Sequence, residues 1–278
     1  MNAPILRLYP APAQSFPLSG LYLRHRLRER GKPGHPYIYS NFISSLDGRI
    51  SQPDPRTGRR PPPAALRHPD DWRLYLELAA QADAVLVSGR RLRELCADHS
   101  VLRCIPDLAH GDVARWRQEQ GLPPQPACIV LTASLDLPAE KLSARAPGEL
   151  VVISGARAEQ SRVEQLQAAG VEVVLTSDAR VSGGDVYRVA AERRYATVYS
   201  IAGPQVLYTL VAAGRLDRLY LTFALRLLAG ADYDTLLRGG LLAPPFAPRL
   251  HELYFDPPAD QRPGLLLASF DRGEQAED

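Results

Sequence analysis

Short apolar runs and stretches of helical spacing alternate along most of this chain. Residues 37–44 (YIYSNFIS) alternate apolar and polar side chains, as a strand with one buried face does. Residues 83–87, 128–132, 148–153, 171–175, 197–201 and 219–223 are short runs rich in β-branched or aromatic residues, which suit buried strands. Between them lie helical patterns. One opens at His68-Pro69 with Asp70 or Asp71 as its cap and continues through Trp72, Tyr75, Leu76, Leu78 and Ala79. Others follow at residues 92–95, 108–120, 161–169 and 185–194, the last capped by Asp185 itself. Pro204 opens a further helix, with Val206, Leu207, Leu210 and Val211 on one face and Gly214 at its end. Strand–helix alternation of this kind predicts an α/β fold built on a parallel sheet. After Gly230 the pattern changes. Residues 251–255 and 265–270 read as two strands joined by Pro-rich turns, hence an antiparallel pair. Residues 18–30 (LSGLYLRHRLRER) predict a short basic helix within an N-terminal extension, residues 1–36. The main domain is expected over residues 37–270, with a frayed tail at 271–278.

Composition narrows the function less than the pattern narrows the fold. Hydrophobic residues make up 45% and charged residues 23% of the 278, the balance of a soluble globular chain with a sizeable core. A formal net charge of +2 gives no reason to expect nucleic acid or a membrane surface as partner. Cys96, Cys104 and Cys128 are odd in number and lack C-x-x-C spacing, so neither a disulfide framework nor a zinc site is expected. The first residues show no secretory pattern and no run approaches a membrane span, so a cytoplasmic location follows by default.

Two turns carry candidate chemistry. Strand residues ending at Val87 lead into Ser88-Gly89-Arg90-Arg91 and a helix, and Ile201 leads into Ala202-Gly203-Pro204-Gln205 and a helix. In a parallel sheet such turns aim helix N–H groups at the carboxyl ends of the strands, where a phosphate can sit. Arg90 or Arg91 could meet a further phosphate, or merely decorate a helix surface. Asp47-Gly48 after the first long strand predicts a tight turn with positive φ at Gly48. The Pro/Arg-rich loop 52–67 could cover a site or simply connect two elements. Asp98, His99 and Arg103 lie in a connecting segment, where they could serve chemistry or solvate a loop.

Taken in order, NFISSLDGRIS, ELAAQADAVLVSG, ADHSVLR, QAAGVEVVL and AGPQVLYTLVAAGRLDRLYLTF resemble the reductase domain of riboflavin biosynthesis, the RibD C-terminal family. The resemblance implies a three-layer α/β/α, dihydrofolate reductase-like fold with a mostly parallel sheet and a C-terminal antiparallel strand pair. It implies an NADPH-dependent reductase, normally a homodimer, that reduces the ribosyl chain of a phosphorylated aminopyrimidine to ribityl. Carried over by motif, Ser88, Gly89, Ala202, Gly203, Pro204 and Gln205 would meet the cofactor pyrophosphate. Arg90 or Arg91 would meet its 2′-phosphate, and Gly155 would lie near the adenosine. Asn41, Ser44, Ser45 and Asp47 would face nicotinamide and substrate. Asp98 would contact the ribose and assist its protonation, and Arg103 would hold the substrate phosphate. No metal is implied.

The chain departs from the family pattern at several points. Ile201-Ala202 stands where Glu-Gly is usual, Asn41 where lysine is common, and Leu216-Asp217-Arg218-Leu219 where the family shows Val-Asp-Glu-Leu. The methyl group of Ala202 is expected to restrict how closely the backbone approaches a phosphate. These departures leave two further readings open: a reductase of the same fold acting on another heterocycle or imine, and a nucleotide-binding protein without turnover. The H-x-E and P-C-x-x-C signature of a zinc deaminase is absent from the sequence.

Overall fold

The computed structural model describes residues 4–98, 105–143, 150–259 and 262–273. Within them the apolar runs become strands of a single sheet. In chain order these are β1 (Ile5–Tyr9), β2 (Gln14–Phe16), β3 (Tyr37–Ser45), β4 (Ala84–Ser88), β5 (Ala127–Leu131), β6 (Leu150–Ser154), β7 (Glu172–Leu175), β8 (Thr197–Ser200), β9 (Arg218–Ala224), β10 (Arg249–Asp256) and β11 (Leu265–Asp271). Across the sheet the order is β2-β1-β10-β11-β9-β3-β8-β4-β5-β6-β7. From β9 to β7 every neighbouring pair is parallel. From β9 through β11, β10 and β1 to β2 every pair is antiparallel. The fold is therefore α/β with a mostly parallel sheet, as expected, and the C-terminal pair is the centre of a wider antiparallel wing.

The helices are α1 (Pro69–Ala80), α2 (Gly89–Asp98), α3 (Gly111–Glu119), α4 (Ala139–Ser143), α5 (Gln160–Ala168), α6 (Gly183–Glu192) and α7 (Pro204–Ala212). Strand alternation assigns them to two layers. Tyr39 on β3 joins Leu74 and Leu78 of α1, Leu92 of α2, Val113 of α3 and Val163 of α5 in one buried cluster. Ile38, the next residue on β3, joins Val186 and Val189 of α6 and Leu207 and Leu210 of α7 in the other.

Several local expectations are corrected. Residues 18–30 do not form a helix. They make two 3-10 turns, Leu23–His25 and Leu27–Glu29, separated by Arg26 in the left-handed region at φ 45°. The backbone there is satisfied by α1 instead: Glu77 accepts from the N–H groups of Gly20 (2.6 Å) and Tyr22 (2.8 Å), and Gln81 from that of Leu27 (2.9 Å). Ahead of this, β1 pairs with β10, and Ile5, Leu21, Tyr22 and Leu27 are buried in the main core. The cap of α1 is His68, whose Nδ1 accepts from the N–H of Asp70 at 3.2 Å; neither Asp70 nor Asp71 caps it. The cap of α6 is Ser182, with Asp185 as the reciprocal partner in a capping box. Asp185 lies inside the helix, because Gly183 and Gly184 form its first turn.

Candidate active site

The two glycine turns come together because β4 and β8 are neighbours in the sheet. Both helices that follow, α2 and α7, start at the carboxyl ends of those strands. Gly89 is a packing requirement, since a Cβ there would stand 2.7 Å from Cβ of Thr132. Ser88 Oγ accepts from the N–H of Arg91 at 3.2 Å and so caps α2. The Arg91 side chain pairs with Glu94 at 3.6 Å. Arg90 is exposed and, among the described residues, has no hydrogen-bond or ion-pair partner. Its Nη2 lies 3.9 Å from the point a Cβ of Gly203 would occupy.

Gly203 differs in kind from Gly89. It sits at φ −76°, which any residue adopts, and among the described residues Arg90 is the only neighbour its missing Cβ would meet within 4 Å. The space beside it is open. Gly203 caps α7 with no side-chain hydrogen bond, and Pro204 is the first helical residue. Among the described residues the N–H groups of Gly203 and Gln205 have no acceptor. Open space, free N–H groups and an unpaired guanidinium together fit a bound phosphate. Ala202, where an obstruction is expected, is buried. It joins residues of α6 and α7 in the second core cluster. Gly155 ends β6 at a tight crossing, where a Cβ would stand 2.2 Å from the carbonyl oxygen of Ala179.

At the end of β3 the turn at Gly48 has the expected positive φ, 81°. Asp47 is engaged on all sides. Its carboxylate accepts from Ser45 Oγ, from Arg49 Nη1 (2.8 Å) and from the N–H groups of Ala229 (2.8 Å) and Leu228 (3.2 Å). The Ser45 hydroxyl and the Ala229 N–H hold it at a pKa of about 2. Asp47 is thus a charged latch on the segment after β9. The Ser44 hydroxyl is buried and donates to the carbonyl of Ser45 at 2.8 Å. Asn41 stands on the opposite face of the strand, its Oδ1 accepting from the hydroxyl of Tyr199. Loop 52–67 folds onto the same segment: Arg60 pairs with Asp234 (2.7 Å) and Asp232 (2.9 Å). From there the N–H of Arg238 reaches the carbonyl of Pro204 at 3.3 Å.

A carboxyl that sequence reading treated only as a cap stands on the Asn41 face. Asp71, in the first turn of α1, is half-buried and hydrogen-bonded to Thr222 of β9. Burial raises its pKa to about 6, with the Thr222 bond acting in the opposite direction. Thr222 pairs with Ile43, so Asn41, Ile43 and Thr222 share one face near the carboxyl end of the sheet. Aromatic rings flank it: Tyr199 stacks on Tyr39 (5.0 Å) and meets Tyr75 (5.7 Å), which stacks on the exposed Trp72 (4.8 Å). No spacing in the sequence marks Asp71, because its partner arrives 151 positions later by sheet pairing. Asp98 is the last residue of α2. His99 and Arg103 lie outside the described residues.

The profile of the RibD C-terminal domain family matches residues 36–251. This chain belongs to that family. Solved structures share its fold at low sequence identity. A pyrimidine reductase-like protein from Corynebacterium diphtheriae is 19% identical with a TM-score of 0.62, covering 86% of this chain and 93% of that one. The riboflavin biosynthesis reductase Rib7 of Saccharomyces cerevisiae is 15% identical with a TM-score of 0.55, covering 90% and 98%. Acinetobacter baumannii RibD is 16% identical with a TM-score of 0.58, covering 86% of this chain but 58% of the longer RibD chain. This chain thus spans about three-fifths of the length of that RibD. Among the described residues, no helix is long and apolar enough to cross a membrane.

Proposed function

We propose that this RibD-family chain is an NADPH-dependent reductase of the pyrimidine type, converting the ribosyl chain of a ribosylamino-pyrimidine to ribityl. The observation that carries the reading is the meeting of the two glycine turns, with the unpaired Arg90 guanidinium facing the open side of Gly203. The α7 N-terminus, through the N–H groups of Gly203 and Gln205, would hold the cofactor pyrophosphate, beside Ser88, Gly89, Ala202 and Pro204. Arg90 would hold the 2′-phosphate, with Arg91 secondary because Glu94 already engages it. Gly155, at the end of β6, would lie on the adenosine side. When bound, NADPH supplies the hydride for an imine-like carbon of the open-chain sugar.

The chain's own task is to orient the substrate and provide a proton. Asn41, beside Tyr199, would bind the substrate, with Arg103 holding its phosphate. Ser44 and Ser45 would support the strand end and Asp47 the loop over it. Asp98 remains a proposed ribose contact. Asp71 is the better proton donor of the carboxyls described. Its raised pKa keeps a useful acid fraction near neutrality, whereas Asp47 is ionised throughout the physiological range. A cytoplasmic homodimer is the proposed form, to be tested by light scattering.

The direct test is to titrate the protein with NADPH and NADH and follow absorbance at the nicotinamide band with 5-amino-6-(5-phosphoribosylamino)uracil. NADPH is expected to bind more tightly, and Arg90→Ala to remove most of the difference, about 1.5–3 kcal/mol for a charged hydrogen-bonded contact. Equal affinity for the two cofactors in the unaltered protein would refute the assignment of Arg90. Tight NADPH binding with no oxidation would favour a nucleotide-binding protein without turnover.

A further inference from the structure

Away from the glycine turns, three buried side chains from distant parts of the chain converge at the wing of the sheet. His68 and Asp70 come from the start of α1, and Asp256 ends β10. One ligand atom from each lies within 4.8 Å of the others. Their relative exposures are 8%, 6% and 6%. Among the described residues, Asp256 Oδ2 is fully buried and has no hydrogen-bond partner.

A buried carboxylate oxygen without a partner, beside a second buried carboxylate, is an unstable arrangement unless a positive charge or a proton joins it. Arg262 approaches Asp70 at 3.7 Å and balances one of the two negative charges. The second is met by a side-chain hydrogen bond between Asp256 and Asp70, in which the two carboxyls share a proton that a cation bound between the three side chains would replace. His68 is oriented for that space. Its ring is hydrogen-bonded to the backbone carbonyl of Pro263, while Nδ1 accepts from the Asp70 N–H and lies 3.9 Å from Asp70 Oδ2. One nitrogen therefore donates to a carbonyl, which fixes the ring, and the other, Nδ1, would exchange the Asp70 N–H for an ion on its single lone pair.

We propose that His68, Asp70 and Asp256 form a binding site for one divalent transition-metal ion, which staples the start of α1 to the end of β10. One imidazole and two carboxylates suit zinc or manganese rather than a soft ion. Zinc ligands at about 2.0–2.2 Å from the metal stand about 3.4 Å from one another, so each side chain closes inward by less than about 1 Å on binding. Full burial leaves no face for a substrate, so the ion is structural. It fixes the helix that carries Asp71, and it is independent of any assignment of cofactor or reaction. The sequence concealed the set because Asp256 lies far along the chain from the His-x-Asp pair and no cysteine takes part.

The test uses the full chain, stripped with chelator and titrated with zinc chloride by calorimetry, with cobalt(II) as a spectroscopic probe. One equivalent of zinc is expected per chain, with a rise in Tm and a visible cobalt absorption band. Asp256→Asn and His68→Gln are each expected to weaken zinc binding at least 100-fold and to abolish the Tm rise. Absence of saturable zinc uptake overturns the proposal, as does uptake that survives both substitutions. So does an Asp256→Asn protein that melts higher than the parent while neither takes up metal, since the shared proton is then not replaced by a cation. Should either variant fail to fold, the cobalt spectrum of the parent protein decides, and a featureless spectrum overturns the site.

Discussion

At the scale of single residues, two aspartates on the same end of the sheet are pushed in opposite directions. Asp47 gathers donors and is held at a pKa of about 2, while Asp71 loses water and rises to about 6. The second shift has consequences for both stability and rate. A carboxyl whose folded pKa is raised favours the folded state below its unfolded pKa, and that advantage disappears as pH rises through about 6. Asp71→Asn is therefore expected to match the parent near pH 4 and to be more stable by about 1–2 kcal/mol at pH 8, as urea unfolding at the two pH values would show. The same substitution should lower kcat/KM by 10²–10⁴-fold, the usual contribution of a general acid. In the parent, kcat/KM should fall as pH rises past about 6, and the variant should lack that limb. Loss of stability at pH 8 together with unchanged turnover would remove Asp71 from the mechanism.

At the scale of elements, α7 shows how a helix terminus can be left unfinished for a ligand. Gly203 needs neither the conformational freedom nor the tight packing that usually explains glycine, yet it leaves the cap empty. Gly203→Asp should fold well, because aspartate caps helices and favours their positive end. It should nevertheless weaken NADPH binding at least tenfold, because its carboxylate would pair with Arg90 in the phosphate space; parallel thermal melts and cofactor titration separate the two effects. Such a turn was legible in the sequence, since a strand run, glycine and proline at a helix start are all local signals. So were β3, β8, β9 and the C-terminal pair, whose patterns are set by burial of their own side chains. The caps were less legible: His68 and Ser182 act through geometry that Asp71 and Asp185 imitate in composition. The burial of Ala202 among residues of α6 and α7, and the Asp71–Thr222 bond, depend on pairings between remote strands and carry no local mark.

At the scale of the whole molecule, the N-terminal segment is fastened by one buried acid. Glu77 is 0% exposed and holds the N–H groups of Gly20 and Tyr22 together with Arg73 at 2.8 Å. Glu77→Ala leaves those groups unsatisfied beneath the turns that carry Leu21, Tyr22 and Leu27. It should cost about 3–5 kcal/mol, measured by chemical denaturation, as removal of one partner from a buried charged network does. A loss below 1 kcal/mol would mean that water replaces the carboxylate there.

The pairing of β1 with β10 also bears on synthesis. β1 hydrogen-bonds to a strand made much later, Leu6 opposite Phe255. Until β10 has been made, β1 is paired on one edge only, with β2, and its other edge stays open. Completion of the antiparallel wing is thus a late event of high contact order, and a nascent chain halted before β10 would carry an unsheltered strand open to mispairing.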